Sequence, residues 1–403
     1  MLRFLHRILP LIVGTIFATS AASGAETRGW DEITAAARGQ TVYFNAWAGD
    51  PQTNAFIAQV GAEAAKRHGI RIEHVKLTDT AEAVTRVVAE KAAGRNVGGM
   101  VDLIWINGPN FLSMKEQALL FGPFDQAMPN YRYVDTIKKL SNVIDFTVPV
   151  DGYEAPWRMA QVVFLYDTAR TLAGTLPRSV PAMLDWARSH PGRLAHPTVR
   201  NFLGATFLKQ ALFELAPDPA VLQQRATDET LDTVTAPLWR WYDALRPFLW
   251  REGRDFPASG SALRQLFADG EIDIAISFNP AEAAVGIADG TLPPTTRVYV
   301  LAEGTIGNTS FVAIPYNAAH KEGAMVVANL LLDPEIQARA QREMGSFTVL
   351  DLDKMSVDQR RLFDRPAEAV GLPTNAELGT PLLEPHPSWM TRLTQEWERR
   401  YLK

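Results

Sequence analysis

The 403-residue sequence contains no cysteine. That excludes disulfide staples and thiolate-ligated zinc or iron–sulfur centres, so stability must come from a packed core, which a chain of this length can build. It also removes the lipidated thiol that tethers some exported proteins to a membrane. Long basic runs are lacking too and the formal charge is −5, so nucleic acid is not an expected partner. There is no low-complexity tract, and 47% hydrophobic against 21% charged residues is a globular balance rather than a disordered one. After the N-terminal region no segment reaches the roughly 20 apolar residues that a membrane span needs. Catalytic signatures are absent as well. The chain has no Gly-x-Ser-x-Gly elbow, no His-Glu-x-x-His and no cysteine nucleophile, and its seven histidines are scattered.

At the N-terminus, Arg3, His6 and Arg7 precede the apolar run Ile8–Phe17, and small residues follow at Ala18–Ala25. This is the pattern of a secretory signal peptide over residues 1–25, with Ser23-Gly24-Ala25 the better cleavage site and Ala22 the second. The run is too short for a transmembrane anchor. Loss of Arg3 and Arg7 takes the formal charge from −5 to −7. The expected product is exported and soluble, with the bacterial periplasm as its address.

The organising stretch is Met100–Phe111, MVDLIWINGPNF. Val101–Ile106 has the compact apolar, β-branched character of a buried strand, and Asn107-Gly108-Pro109-Asn110 breaks it, with Pro109 placed to open a helix. The same grammar recurs at Val42–Asn45 before Ala46-Trp47-Ala48-Gly49-Asp50-Pro51, and at Ile272–Phe278 before Asn279-Pro280. Strands that end in polar loops feeding helices build the ligand crevices of open α/β sheets.

The order from Thr41 to Ile106 reads β-α-β-α-β, with helices at Thr53–His68, stopped by Gly69, and from a capping-box-like Asp79-Thr80-Ala81-Glu82. An Asp-Gly turn at Asp151-Gly152 suggests a hairpin. Residues 168–288 read as largely helical, with Ser179 capping Val180–Ser189, then Asn201–Leu215 and Leu231–Trp250. Strands at Arg297–Leu301 and Ser310–Pro315 read as the return crossing to the first domain, followed by helices at His320–Leu332 and Pro334–Glu343. Ser388–Tyr401 is an amphipathic helix with Trp389, Leu393 and Trp397 on one face. The expected layout is therefore α/β and two-lobed: lobe 1 over residues 26–155, lobe 2 over 156–298, a return to lobe 1 over 299–350, and a C-terminal helical segment over 351–403.

In this order the export signal, VYFNAWAGDP, DLIWINGPNF, VVFLYDTA, LDWARSHPGR, GEIDIAISFNPAEA and GTIGNTSFVAIPYNA resemble the extracellular solute-binding proteins of ABC importers. The chain is similar to an uncharacterised proteobacterial subfamily near a group that binds thiamine, polyamines, iron and sugars. The resemblance implies a type II-like periplasmic-binding-protein fold, two doubly wound sheets joined by a hinge. It further implies a small solute trapped between the lobes, no cofactor, no enzymatic activity, and a monomer that serves a membrane permease driven by an ATPase.

A site between lobes needs aromatic faces and a few orienting hydrogen-bonding groups. The candidates are Trp47, Asp50, Asn107, Asn110, Trp157, Arg158, Asn201, Asn279, Asn308 and Thr309. Each has a structural alternative. Asp50 before Pro51 can cap a helix, and asparagine at a strand end can simply form a turn. Trp105, inside its strand, is expected in the core, as are Trp239, Trp241 and Trp250. His190 and His196 read as loop and strand residues. Asp50, Glu154 and Glu282 near the loops favour a cationic or neutral organic solute, whereas Arg158 suits an anion. Two other classes compete: an exported hydrolase whose carboxylates meet only on folding, and a protein-binding adaptor with an apolar surface.

Overall fold

In the computed structural model, which describes residues 28–364 and 370–402, apolar spacing and local caps together set the elements. The expected signal peptide lies outside the described residues. After α1 (Trp30–Ala37), β1 (Thr41–Trp47) leads into α2 (Pro51–His68). Pro51 opens α2, the Asp50 carboxylate accepts the N–H groups of Gln52 and Thr53 at 3.3 and 3.0 Å, and Gly69 stops it at φ 67°. Phe56, Ile57 and Val60 are its buried face.

β2 (Arg71–Leu77) pairs in parallel with β1, and α3 (Ala81–Ala92) follows. The cap of α3 differs from the expected box. Asp79 accepts the Ala81 N–H, Glu82 reaches back to the N–H groups of Thr78 and Asp79, and the Thr80 hydroxyl instead donates to the Trp105 carbonyl. β3 (Leu103–Ile106) pairs in parallel with β1 and feeds α4 (Pro109–Glu116).

The expected hairpin moves. β4 (Ile144–Asp145) and β5 (Val148–Pro149) form it about Phe146 and Thr147, both at positive φ. Asp151-Gly152 does make a tight turn, also at positive φ, but β6 (Glu154–Gln161) pairs elsewhere, so the turn joins no ladder.

β6 and β7 (Val163–Asp167) form one extended run that changes sheet at Val162. The crossing thus falls there rather than at 155–156, because all of β6 is hydrogen-bonded into the first sheet. Then come α5 (Val180–Ser189), capped by Ser179, β8 (Leu194–Ala195), α6 (Phe202–Leu215) and α7 (Asp228–Leu245). α7 begins before Leu231 because Thr227 caps it, and ends at Leu245, where a 3-10 turn over Arg246–Phe248 takes over at Pro247, which has no N–H to continue the α ladder. α8 (Gly260–Ala268), β9 (Ile274–Ser277), α9 (Glu282–Ala288) and β10 (Thr296–Tyr299) complete the second half. β11 (Gly307–Ala313) returns to the first sheet, and α10 (Lys321–Leu331) and α11 (Pro334–Met344) pack on that sheet.

The first sheet runs β2-β1-β3-β11-β6 and the second β10-β7-β9-β8. Both are mixed. β11 and β6 pair antiparallel because one carries the chain out of the first lobe and the other brings it back. Each lobe has its own core. Phe44, Phe56, Trp157 and Ile336 are buried in the first, and Phe164, Phe207, Leu238 and Tyr242 in the second. The C-terminal segment is divided: Met355 and Phe363 join the first core, whereas the helix Pro387–Tyr401 packs on α6 and puts Trp389, Leu393 and Trp397 into the second. Trp397→Ala, which empties a fully buried position, should cost about 3–5 kcal/mol in urea unfolding followed by circular dichroism. A loss below about 1 kcal/mol would place the C-terminal helix outside the second core.

His196 is fully buried and stacks on Phe207 at 4.6 Å. Its Nδ1 donates to the Pro197 carbonyl at 2.7 Å, so Nε2 accepts from the Tyr242 hydroxyl at 2.8 Å. Burial pushes its pKa down to about 4. The folded state therefore holds a neutral ring that the unfolded chain protonates near pH 6.5. Its contribution is complete above that pH and drains as pH falls toward 4, by about 3 kcal/mol at most. Thermal midpoints across pH 4–7 should show this slope, and His196→Gln should flatten it; an equal slope in both proteins would assign the acid sensitivity to other groups.

Candidate functional site

The loops at the carboxyl ends of β1, β3, β8 and β9 face one another across the gap between the sheets. With β6 and β11 beneath them they enclose a cavity of about 590 Å³, within the range of small-molecule sites. Trp47 and Trp105 form its lobe 1 wall, edge to face at 6.3 Å. Phe202 and Phe278, edge to face at 5.5 Å, form the lobe 2 wall.

Eight of the ten predicted residues line this cavity: Trp47, Asp50, Asn107, Asn110, Arg158, Asn201, Asn279 and Asn308. Not all of them are free to act. Asp50 is occupied as the cap of α2. The Asn201 side-chain oxygen caps α6 through Leu203 N–H, leaving only its amide N–H₂ uncommitted. Asn279 accepts the Ala281 N–H and donates to the Met344 carbonyl of the other lobe at 3.3 Å. The Asn308 amide donates to buried Glu384 at 2.9 Å. Asn107 and Asn110 face the cavity with no side-chain hydrogen bond to the described residues.

The other two predicted residues lie elsewhere, because side chains alternate along a strand. Trp157, next to Arg158, points into the first core, stacked on Phe56 at 6.1 Å and 1% exposed. Thr309, between Asn308 and Ser310, turns away and bonds Ser141 and Asn142 at 3.0 Å each. Trp105, expected in the core, is half-buried and lines the cavity: both faces of β3 are packed, Ile104 and Ile106 on one and Leu103 on the other, and Trp105 follows Leu103 where that second face reaches the cavity. Thr80, Ser261, Arg264 and Phe202 also line the cavity; no motif distinguishes them, and only the meeting of the lobes brings them there.

Two arginines differ in their company. Arg264 donates to Glu282 at 2.9 Å, and Glu282 also accepts from Ser277. Arg158 projects from β6 onto the cavity between the ring faces of Trp105 and Trp157, each 5.5 Å from its guanidinium carbon. Its guanidinium has no acceptor among the described residues, and its Nε is sealed from solvent. Burial pushes its pKa down, while the fields of Asp50 and Glu282 pull it up.

The lips of the cavity are bridged. Ser261 donates to the Gly49 carbonyl at 2.7 Å, and the Gln52 amide donates to Asp289 at 3.1 Å. With Asn279 to Met344, these bonds hold lobe 2 against lobe 1 in a closed arrangement.

Behind the cavity lies a buried charged group. Lys209 donates to Glu384 at 2.6 Å, and Asp145 accepts the Gly108 N–H at 2.6 Å. Glu154 has neither carboxyl oxygen bonded. Burial first, then nearby Asp145, pushes its pKa well above the usual carboxylate range. A raised folded pKa means stability that declines as pH rises through it. Glu154→Gln, which keeps the shape and removes the ionisation, should be more stable than the parent at pH 8 and closer to it at pH 5, by thermal melting at both. A variant less stable at pH 8 would show that the carboxylate form has a partner.

Two lobes closing on a lined cavity over paired crossing strands define a binder that encloses its ligand. A family model described as bacterial extracellular solute-binding protein matches residues 59–351. The chain is also 41% identical over 392 residues to the protein YnjB of Escherichia coli (strain K12), covering 97% of this chain and 98% of that one. It belongs to the bacterial extracellular solute-binding protein family. Solved structures share the fold. A putative spermidine/putrescine ABC transporter protein from Listeria monocytogenes aligns at TM-score 0.63 and 15% identity, covering 90% of this chain and 98% of that one. Iron-bound HitA from Pseudomonas aeruginosa aligns at 0.62 and 16% (90% and 99%). AfuA from Actinobacillus pleuropneumoniae, with fructose-6-phosphate bound, aligns at 0.62 and 14% (90% and 99%).

Proposed function

We propose that this protein captures a small organic solute in the periplasm by closing its lobes over the cavity, and hands it to an inner-membrane permease driven by an ATPase. The observation that carries this reading is a cavity walled by both lobes, with the uncommitted amides of Asn107 and Asn110 inside it and cross-lobe bonds at its rim. A solute that touches both walls stabilises the closed state by the difference in its contacts between open and closed forms. Among the described residues no group of three His, Cys, Asp or Glu is placed to hold a metal ion.

A thermal-shift panel of amino acids, sugars, sugar phosphates, polyamines and thiamine should yield a stabilising solute. Small-angle scattering with that solute should then show a smaller radius of gyration than without it. Ser261→Ala, which deletes one rim bond, should weaken affinity roughly two- to tenfold while leaving the ligand-free midpoint within about 2 °C. A proven solute that leaves the scattering profile unchanged would refute closure.

A further inference from the structure

The balance of charge inside the cavity goes further, on the reading that the cavity is where the solute sits. Five of the six charged side chains lining it are engaged. Asp50 and Asp79 accept backbone N–H groups at the starts of α2 and α3. Arg264 holds Glu282, and Arg200 holds Glu398. The sixth is Arg158, whose guanidinium has no acceptor among the described residues. The flanking Trp105 and Trp157 rings offer it faces but no lone pairs for its N–H groups. Its Nε is sealed from water without an acceptor while the residue remains partly exposed on the cavity wall, and arginine stays charged rather than giving up a proton. What it lacks is an anion.

The surroundings favour the same sign. Asn107 and Asn110 present uncommitted amides to the same space. Pro109 and Asn110, the first residues of α4, line the cavity, while the Asp145 carboxyl takes the Gly108 N–H at the start of the same helix. The carboxylates that made a cationic solute the expectation are accounted for otherwise: Asp50 caps α2, Glu282 pairs with Arg264, and Glu154 is buried away from the cavity.

We propose that the solute carries an oxyanion, a carboxylate or phosphate, that pairs with the Arg158 guanidinium, while Trp47 and Trp105 cover its remaining surface. A planar fork of N–H groups suits two oxygens of either anion.

The test uses matched probes on the mature protein, stripped by unfolding and refolding: glucose and glucose 6-phosphate, glutamine and glutamate, citrate, spermidine and thiamine. The expected result is a thermal shift with at least one anionic probe and none with its uncharged counterpart. The phosphate and carboxylate pairs separate the two anion types. By calorimetry, Arg158→Gln should weaken that probe's Kd at least about tenfold, with partial recovery in Arg158→Lys. Without ligand, Arg158→Gln should melt close to the parent's midpoint, because no side-chain hydrogen bond or ion pair to the described residues is lost. A clearly lower midpoint would make Arg158 a structural residue and overturn the proposal. Binding of uncharged or cationic probes alone, or an anionic probe whose Kd is unchanged in Arg158→Gln, would overturn it and leave the solute-binding reading standing. Silence for every probe would overturn both.

Discussion

Everything in this molecule depends on the place where β6 and β11 lie side by side. Gly307 pairs with Gln161, and Val162 N–H donates to the Ile306 carbonyl at 2.8 Å. There two of the three chain crossings between the lobes run as one narrow antiparallel ribbon, and the C-terminal segment makes the third beside it, with Leu382 bonded to Thr305 and Gly307. The buried Gln161 amide fastens it, donating to Thr305 and to the Leu378 carbonyl. A two-strand ribbon keeps its hydrogen bonds while its ends change angle, so two rigid cores can move against each other without either being opened. Arg158, Ala160, Asn308 and Ser310 sit on this ribbon and line the cavity. The floor of the site and the hinge are the same strands.

The buried charges behind the site follow from that economy. Lys209 comes from α6 of lobe 2, Glu384 from the C-terminal segment, Asn308 from the ribbon and Asp145 from lobe 1. Burial drives Lys209 and Glu384 each toward its neutral form, and each opposes that in the other. Such a pair is weak evidence for net stability but a strict one for geometry, since breaking it strands a charge. With Asn308 it holds three segments in one register beneath the cavity, and Asp145 acts on Lys209 only through its field. Groups whose pKa is pushed up, such as Glu154, and groups pushed down, such as His196, press on stability from opposite ends of the pH scale.

Local features were legible to different depths. Pro51, Gly69, Pro109, Ser179 and Asn201 act at helix ends because caps and stops depend only on near neighbours. The two-lobed α/β order and the polar strand-end loops were legible for the same reason. The hairpin at Asp151-Gly152 was misplaced because its turn geometry is real while the pairing that makes a hairpin is set by distant strands. Trp157 and Thr309 were assigned to the site because a loop-level reading ignored the alternation that Trp105 and Arg158 obey.

The sequence by itself determined the absence of thiol chemistry, the succession of strands and helices, and the asparagines and tryptophan at the strand ends. These are properties of composition and of contacts within a few residues. Only the tertiary structure decided which face of each strand meets the cavity, that the C-terminal helix completes the second core, and which charges are already paired. Asp50, Glu282 and Arg158 look alike as candidates along the chain. They differ because the cap of α2 and the Arg264 side chain satisfy the first two, while nothing described in the fold reaches the third. Pairing is a matter of distance in space, and distance in space is what a linear sequence does not carry.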